Sequence, residues 1–351
     1  MTNRFAAFAA GATIVALVGC GATDEPATEQ TDSAPAAELE SDNAFTLYSG
    51  RDEALIQPLI DMFEESSGIE VDVRYGNTAE LGALLLEEGE RTPAQVFLSQ
   101  DAGALGALSS AGLFSTLPEE VAAAVPAGFT STDDSWVGVT GRARVIVYDG
   151  EELTPEEVPV SVDELTEPEW SGRVGLAPSN ASFQAFVTAY RVLKGEEAAD
   201  EWVAALAAND PQIFENNGAV LTAVNEGVVE TGLINHYYWF RQAAEAGEDN
   251  MRAQLSYPEA GDPGSIVNVT GAGILSSAAQ DADALQFVEF LVSAEAQQYF
   301  VDETFEYPLA EGIDAPAGLP ALESLVNPDL DLSDLESLEQ TQELLSKHGL
   351  I

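Results

Sequence analysis

Two adjacent tyrosines, Tyr237 and Tyr238, are the side chains whose type and spacing point most directly to chemistry. They follow a strand-like apolar run at 232–234 and open a helix-like pattern, so the local turn decides whether both phenols reach one point. A phenolate is an anionic oxygen donor, and a hard trivalent cation such as Fe³⁺ lowers the phenol pKa from about 10 and binds the deprotonated form at neutral pH. Because 237–240 are all aromatic, core packing is the alternative.

The segments around this pair alternate between strand-like and helix-like patterns, which predicts an α/β protein. Strands are predicted at 45–48, 71–73 and 96–98, each followed by a polar loop. Gly68 is predicted to end the helix between the first two strands. Open parallel sheets bind ligands at the carboxyl ends of their strands, so we expect functional residues in these loops.

Two long strand-like stretches, at 136–148 and 266–275, separate the first βα series from a second one. A second series that follows the first long strand indicates a second lobe. We therefore predict two α/β lobes joined by long strands near 138–145 and 264–270.

The composition excludes one class of partner. The chain has 351 residues, 12 Lys or Arg against 61 Asp or Glu, and a formal net charge of −49. General nucleic-acid binding needs clustered cations, so it is excluded. Hydrophobic residues make up 46% of the chain, which is enough for a packed core, and the length predicts about two domains. The acidity suits a surface solvated in salty or cation-rich surroundings.

The N-terminus has the pattern of a bacterial lipoprotein signal. Arg4 precedes an apolar, Ala-rich stretch at 5–19, which ends at Cys20, the single cysteine of the chain. An intramolecular disulfide is therefore impossible, and Cys20 is the predicted lipidation site; a plain secretory signal is the alternative. Residues 21–43 contain no basic residue and are predicted to be a disordered acidic tether between membrane and folded body.

Common enzyme machinery is missing from the sequence. His236 and His348 are its two histidines, so no H-E-x-x-H zinc site is possible, and there is no G-x-S-x-G elbow or Walker loop. We predict that the protein is not an enzyme. A tethered enzyme that uses carboxylates is the least favoured alternative.

Six segments together carry a resemblance to a known family. They are LYSGR at 47–51, TPAQVF at 92–97, GRARV at 141–145 followed by Tyr148, NHYYW at 235–239, DPG at 262–264 and EYPL at 306–309. The sequence resembles the ferric-ion-binding proteins that supply iron ABC importers, over nearly all of residues 44–310. The resemblance implies a two-lobed type II periplasmic-binding-protein fold, with a central cleft and two hinge-strand crossings.

With that resemblance the chain is predicted to divide into five parts. These are a signal peptide at 1–20, the tether at 21–43, a first lobe at 44–141 plus 268–310, a second lobe at 142–267, and a C-terminal segment at 311–351. In the last part, Ser333 with Glu336 three residues later has the pattern of a capping box and predicts the start of a helix, which Gly349 would end.

The resemblance also implies a set of site residues. Tyr237 and Tyr238 match the family's two tyrosinate ligands. The residues implied for a synergistic anion, phosphate or carbonate, are a helix-start loop, two asparagines and an electrostatic neighbour: Asn180, Ala181, Ser182, Asn217, Asn235 and Arg142. In the first lobe the chain departs from one subgroup, because Asp52 and Gln100 stand where that subgroup has His and Glu. It departs from another at Phe183, where that subgroup has a third Tyr.

Several of these roles have open alternatives. Asp52 is a possible carboxylate ligand or the N-cap of the following helix. Glu53 and Asp101 are further possible ligands, and Gln100 is a possible hydrogen-bond partner of a bound water. Arg142 and Arg144 would alternatively pair with acidic residues, and His236 would serve a local hydrogen bond rather than a metal.

The implied function is that of an extracytoplasmic, monomeric solute-binding protein, anchored to the outer face of the cell membrane through Cys20. It would capture Fe³⁺ with the anion and hand the ion to an ABC permease. The altered first-lobe residues keep a second possibility open, in which the same fold binds a polyamine, thiamine or an organophosphonate.

Overall fold

The computed structural model describes residues 39–325 and 330–351. The predicted signal peptide, Cys20 and residues 21–38 of the predicted tether lie outside these ranges. Among the helices that the structure describes, none combines the length and the apolar character needed to cross a membrane.

The last residues of the predicted tether lie against the folded body. The Glu40 N–H donates to the Gln280 carbonyl over 2.7 Å. The N–H groups of Asp42 and Asn43 donate to the buried Asp283 carboxylate at 3.1 and 2.8 Å. Residues 40, 42 and 43 therefore belong to the folded body, and the prediction of a disordered tether is wrong for them.

Strands and helices alternate along the described chain. The strands are β1 Ala44–Ser49, β2 Glu70–Tyr75, β3 Val96–Ser99, β4 Val137–Asp149, β5 Val174–Leu176, β6 Gln212–Ile213, β7 Thr231–Asn235, β8 Ala253–Ser256, β9 Val267–Ile274 and β10 Tyr307–Pro308. The helices are α1 Glu53–Ser67, α2 Thr78–Glu88, α3 Ala102–Ser110, α4 Glu119–Ala122, α5 Ala181–Lys194, α6 Glu196–Ala208, α7 Asn217–Asn225, α8 His236–Ala246, α9 Ala282–Leu291, α10 Ala294–Tyr299 and α11 Leu338–Lys347.

The strands form one sheet with parallel groups at its two ends and antiparallel strands between them. Its order is β2-β1-β3-β9-β4-β7-β5-β6, with β8 and β10 paired to β4 off this path. β1 runs parallel to β2 and β3, and β5 runs parallel to β6 and β7. β9 and β4 are antiparallel to each other, β9 to β3 and β4 to β7.

The long strand β4 belongs to both halves of the sheet. Its residues 137–143 pair with β9 and its residues 144–148 pair with β7. We call β1–β3, β9 and the first half of β4, with their helices, the first lobe. The second lobe consists of β5–β8 and the second half of β4, with their helices. The predicted α/β architecture with two lobes and long connecting strands is confirmed.

Each lobe has its own aromatic packing. In the first lobe the rings of Phe45 and Phe63 contact that of Phe287, with centroids 5.2 and 5.1 Å away. In the second lobe Tyr190 stacks on Trp202 at 4.9 Å. Burial of one large apolar side chain contributes roughly 1.5–3 kcal/mol to the folding free energy, so these aromatic clusters stabilise each lobe.

Helix α1 shows how local sequence sets the position of a loop at the site. Asp52 accepts a hydrogen bond from the Ala54 N–H at 2.9 Å and so caps the helix. At the other end Gly68 takes a left-handed conformation with φ of 75°, as predicted from its type. The Asp52 cap therefore fixes the end of the turn that leads into α1.

The C-terminal segment contacts both lobes. Leu332 and Leu335 are buried in a short 3₁₀ turn that packs against α3, and α11 packs against α5, where Thr341 and Thr188 share a 2.7 Å hydrogen bond. The predicted cap at Ser333 is wrong. Asp331 caps the 3₁₀ turn by accepting from the Ser333 N–H, and α11 starts only at Leu338.

Candidate metal centre

The two tyrosines lie at the point where β7 passes into α8. Tyr237 is 3% exposed and Tyr238 is half-buried. Their ring centroids are 4.4 Å apart with 30° between the ring planes, so the two rings face each other. Trp239 points into the core, where its Nε1–H donates to the Ala253 carbonyl at 2.6 Å. The aromatic run thus divides into a facing phenol pair and a core residue.

His236 fixes the start of α8. The buried imidazole accepts at Nδ1 from the Ala143 N–H at 3.1 Å and, in the tautomer this requires, donates from Nε2 to the Phe305 carbonyl at 2.9 Å. Burial lowers the pKa of His236 to about 4, so the ring is neutral at physiological pH. Both nitrogens are engaged, which matches a local hydrogen-bonding role.

The surroundings of Tyr237 shift its ionisation in opposing directions. Burial, and next the neighbouring Tyr238, raise the pKa of Tyr237 well above its usual range. The positive charges of Arg51 and Arg142 act to lower the same pKa. The free phenol is therefore protonated at neutral pH, and the nearby guanidinium groups favour the phenolate once a cation replaces the proton.

A buried ion pair supports the first-lobe side. Arg51 Nη2 lies 2.5 Å from Glu306 Oε1, and Glu306 also accepts a hydrogen bond from Thr140 Oγ1. Glu306 is 0% exposed, and Arg51 with Arg142 holds the pKa of Glu306 below its usual value against the effect of burial, which is the largest influence and raises it. Arg51 directly precedes Asp52, so this pair anchors the turn that carries the predicted first-lobe ligand.

The predicted first-lobe residues are less enclosed. Asp52 and Glu53 are exposed, Gln100 is half-buried, and only Asp101 is buried. Asp52 caps α1 through Oδ1, which leaves its second carboxylate oxygen for another partner. Asp101 caps α3, with Oδ1 3.3 Å from the Ala104 N. Burial raises the pKa of Asp101, and the charge of Arg142 opposes this shift.

The predicted anion residues form one network around Arg144. Arg144 Nη1 lies 3.2 Å from Ser182 Oγ and 3.5 Å from the side-chain oxygens of both Asn217 and Asn235. Asn180 Oδ1 accepts from the Ser182 N–H at 3.0 Å and caps α5. The structure thus brings together the predicted asparagines and serine around an arginine outside the predicted set.

Three helices begin at this network. They are α5, capped by Asn180, α7, whose first residue is Asn217, and α8, which directly follows Asn235. Helix N-termini carry partial positive charge and free N–H groups, so their convergence favours an anion. A Cβ on Gly218, in the first turn of α7, would lie 3.9 Å from the Tyr238 ring, which places the network beside the tyrosine pair.

Arg142, the predicted anion neighbour, faces the first lobe instead. Its Nη2 donates to the Gln100 carbonyl and, at 3.2 Å, to the Val269 carbonyl. Residues two apart in a strand share a face, so Arg142 and Arg144 project from β4 on the same side, and each reaches toward a different lobe. This two-residue spacing is the sequence signal from which Arg144 could have been predicted as an anion-binding residue.

Arg144 is a buried cation with no acidic partner among the residues that the structure describes. Burial lowers the pKa of Arg144 to about 9, an effect that Tyr238 opposes, so the guanidinium stays charged at neutral pH. Within residues 39–325 and 330–351 neither Arg142 nor Arg144 lies within salt-bridge distance of a carboxylate, although Arg142 interacts electrostatically with Glu306 and Asp101. A buried unpaired cation is costly, and a bound anion would compensate it.

The side chains available as metal ligands limit what kind of metal centre this site could form. The described residues contain no group of three His, Cys, Asp or Glu side chains placed to hold a metal ion. Any metal centre in this part of the chain therefore depends on other oxygen donors. The phenols of Tyr237 and Tyr238, with carboxylate or anion oxygens, are the hard donors that the geometry supplies.

Comparison with known proteins places the chain in a family. Residues 91–329 match the model of the bacterial extracellular solute-binding proteins. The chain is a member of this family. A Fe(3+)-binding periplasmic protein of Serratia marcescens is 33% identical to this solute-binding protein over 312 residues, which cover 89% of this chain and 92% of the relative. The predicted resemblance is confirmed, and such relatives are binding proteins rather than enzymes.

Solved structures agree with the architecture. Iron-bound HitA from Pseudomonas aeruginosa superposes with a TM-score of 0.82 at 34% identity, covering 87% of this chain and 99% of HitA. A Trichodesmium protein (IdiA, FutA), solved with iron and citrate, superposes at 0.75 with 28% identity and covers 87% of this chain and 99% of its own. This solute-binding protein has the predicted two-lobed type II fold.

Proposed function

We propose that this solute-binding protein captures Fe³⁺ between its lobes through the phenolate oxygens of Tyr237 and Tyr238. The observation that carries the proposal is the facing pair of rings, with centroids 4.4 Å apart, beside the buried Arg144, which has no acidic partner in the described part of the chain. Two adjacent anionic oxygens suit a hard trivalent ion, and a buried arginine beside them suits an anion that completes its shell. The relatives that bind ferric iron support the same conclusion.

The metal shell follows from the donors on each side. Tyr237 and Tyr238 each lose a proton as they bind, since the metal takes the deprotonated form. Asp52 supplies a carboxylate oxygen from the first lobe while its other oxygen caps α1. Glu53 and Asp101 are further candidates for this side, and Gln100 would hydrogen-bond a metal-bound water.

The synergistic anion completes the shell from the second lobe. A phosphate or carbonate would lie among the α5 start, Asn217, Asn235 and Arg144, where N–H donors and positive charge converge. The α5 start is Asn180, Ala181 and Ser182. Arg142 acts from the first-lobe side as an electrostatic neighbour.

Delivery requires the protein to stay near a membrane permease. We propose that Cys20 carries the lipid anchor and that the acidic segment after it tethers the folded body to the membrane. The protein then acts as a monomer on the outer face of the cell membrane and releases iron to an ABC permease. Closure follows a population shift, since iron that joins both lobes binds the closed form more tightly than the open one.

The test is a double variant, Tyr237→Phe with Tyr238→Phe, mixed with a ferric chelate at neutral pH. The wild-type protein is expected to develop the phenolate-to-iron charge-transfer colour, and the double variant to lose both the colour and ferric binding. Tyr190→Phe is the matched control, because Tyr190 is a buried tyrosine whose hydroxyl bonds to Asp163 at 2.7 Å in the second lobe. A wild-type protein that stays colourless would refute the proposal.

An organophosphonate is the second candidate, and the Arg144 network is the observation that favours it. That network recognises an anion whether or not a metal is present. A polyamine or thiamine fits less well, because Arg51, Arg142 and Arg144 place three buried positive charges at the site. Thermal shifts with ferric citrate, a phosphonate, spermidine and thiamine would separate these ligands, since a ligand that binds only the native state raises its stability.

A further inference from the structure

Two neighbouring residues, Phe305 and Glu306, contact both the second-lobe side and the first-lobe side of the proposed site. The Phe305 carbonyl accepts the Nε2–H of His236, the residue before Tyr237. The Glu306 carboxylate binds Arg51, the residue before Asp52. One dipeptide thus contacts the immediate neighbours of a proposed ligand from each lobe.

The backbone of this dipeptide has an unusual conformation. Phe305 has φ of 58° and ψ of 28°, in the left-handed region that a bulky side chain rarely adopts. It directly follows a short π-helical turn at Phe300–Thr304. Such conformations persist where the surroundings fix them, and here the carbonyl they orient is the one that accepts from His236.

Buried contacts fix the dipeptide on its other side. Glu306 is 0% exposed and is held by Arg51 and Thr140. Tyr307, the next residue, pairs with Gly141 of β4. The dipeptide is therefore attached to β4, which both lobes share, as well as to the two ligand-bearing turns.

We propose that Phe305 and Glu306 form a positioning strut that sets the distance and orientation between the tyrosine pair and the first-lobe turn. Resting on the proposed ferric function, the strut holds Tyr237 through His236 and holds Asp52 through Arg51. Its residues touch no metal in this proposal; they act through the ligands beside them. Loss of either contact loosens the metal geometry while the individual ligands remain.

The first test compares His236→Leu, which removes both hydrogen bonds of the ring, with His236→Gln, whose amide keeps a donor for the Phe305 carbonyl. The leucine variant is expected to shift the maximum of the charge-transfer band and to release iron to a competing chelator at least about tenfold faster. The glutamine variant is expected to stay within about threefold of the wild-type rate. Glu306→Gln, which removes the charge that holds Arg51, should behave like the leucine variant.

A matched control separates positioning from general stability. Arg252 binds the buried Asp149 through two hydrogen bonds of 2.7 and 2.5 Å at the end of β4, seven residues along the strand from Arg142. Arg252→Gln should lower the melting temperature with an unchanged band and release rate. If His236→Leu and Glu306→Gln also lower only the melting temperature, the strut is refuted.

Two further measurements keep the proposal testable if a variant folds poorly or if iron does not bind. Thr140→Val removes one hydrogen bond to Glu306. It should shift the charge-transfer band and the iron-release rate in the same direction as His236→Leu, by a smaller amount. A band and a release rate equal to those of the wild type would count against the strut. In iron-free protein, His236→Leu and Thr140→Val combined should be non-additive by a factor of about three or more in the unfolding equilibrium constant. Additive effects there would refute the strut independently of iron, whereas a colourless wild type would refute the ferric function alone.

Discussion

The two sides of the proposed site differ in how completely they are organised before a ligand arrives. On the second lobe, Arg144 is buried and its neighbours Ser182, Asn217 and Asn235 are already connected to it. On the first lobe, Asp52 is exposed and its side chain serves the start of α1.

A prepared surface loses little conformational entropy on binding, whereas an exposed side chain must be ordered. This difference assigns the two lobes different tasks. In the proposed function, the second lobe would make the first capture of the ligand, and the first lobe would add donors that favour closure. The predictions below test that division, from the largest expected effect to the smallest.

The largest effect is expected from pH, because the second-lobe phenols must lose protons to bind. Burial raises the pKa of Tyr237, so the free site is protonated at neutral pH and protons compete with the metal. Ferric affinity should therefore fall as pH falls, by up to about 100-fold per pH unit when two protons are displaced. The measurement is competition with a chelator of known proton dependence.

A single variant sharpens this test. With Tyr237→Phe only one phenol remains, so the slope should drop to about tenfold per pH unit. A wild-type slope that already matches one proton would mean that a single phenolate binds, and the facing pair would lose its assigned role.

The second effect concerns the anion network. Arg144→Gln keeps a hydrogen-bond donor but removes the buried charge, and we expect ferric affinity to fall by about 10- to 100-fold. Added phosphate or carbonate should strengthen binding in the wild type and much less in the variant. Titration at several anion concentrations measures this. Equal anion dependence in both proteins would place the anion elsewhere and remove the main difference between the lobes.

The third prediction concerns the first lobe, where the proposed ligand Asp52 is exposed. Asn caps a helix as well as Asp does, so Asp52→Asn should leave the unfolding free energy unchanged and lower ferric affinity by about tenfold through loss of an anionic oxygen. Asp52→Ala should show the same affinity loss and about 1 kcal/mol lower stability. If Asp52→Asn binds as tightly as wild type, capping is the whole role of this residue, and Glu53 becomes the next candidate.

The same contrast explains how far the sequence could predict the site. The Tyr237–Tyr238 pair and the cap pattern at Asp52 are local signals, readable because spacing along the chain sets their geometry. Arg144 could have been predicted as a site residue, because it lies two positions from Arg142 on one strand and therefore on the same face. The Arg51–Glu306 pair joins residues 255 positions apart, and no local pattern predicts which of 61 acids meets a given arginine.

The fold, too, has features that local sequence patterns predicted and one that they predicted wrongly. Strand and helix alternation predicted the two lobes, because each element carries its own apolar period. The Ser333 cap failed although its pattern is local, since Asp331 accepts from the Ser333 N–H that Glu336 would use in a capping box, and a 3₁₀ turn starts there instead. Choice between two adjacent caps depends on packing of Leu332 and Leu335 against α3, which lies far away in sequence.

The smallest effect on binding is expected where the C-terminal segment meets the first lobe. A Cβ on Gly103 in α3 would lie 2.7 Å from the Leu335 carbonyl oxygen, so Gly103→Ala must displace the 3₁₀ turn. We expect a stability loss of about 1–3 kcal/mol from this overpacking, with ferric affinity within about threefold of wild type. Gly82→Ala is the control, because its Cβ would meet only the Ala104 Cβ at an ordinary 3.6 Å in the same groove between α2, α3 and α11. Denaturant unfolding and chelator competition on both variants decide the matter: a large affinity loss in Gly103→Ala alone would make the C-terminal segment part of closure, and the first lobe would then depend on more than its own side chains.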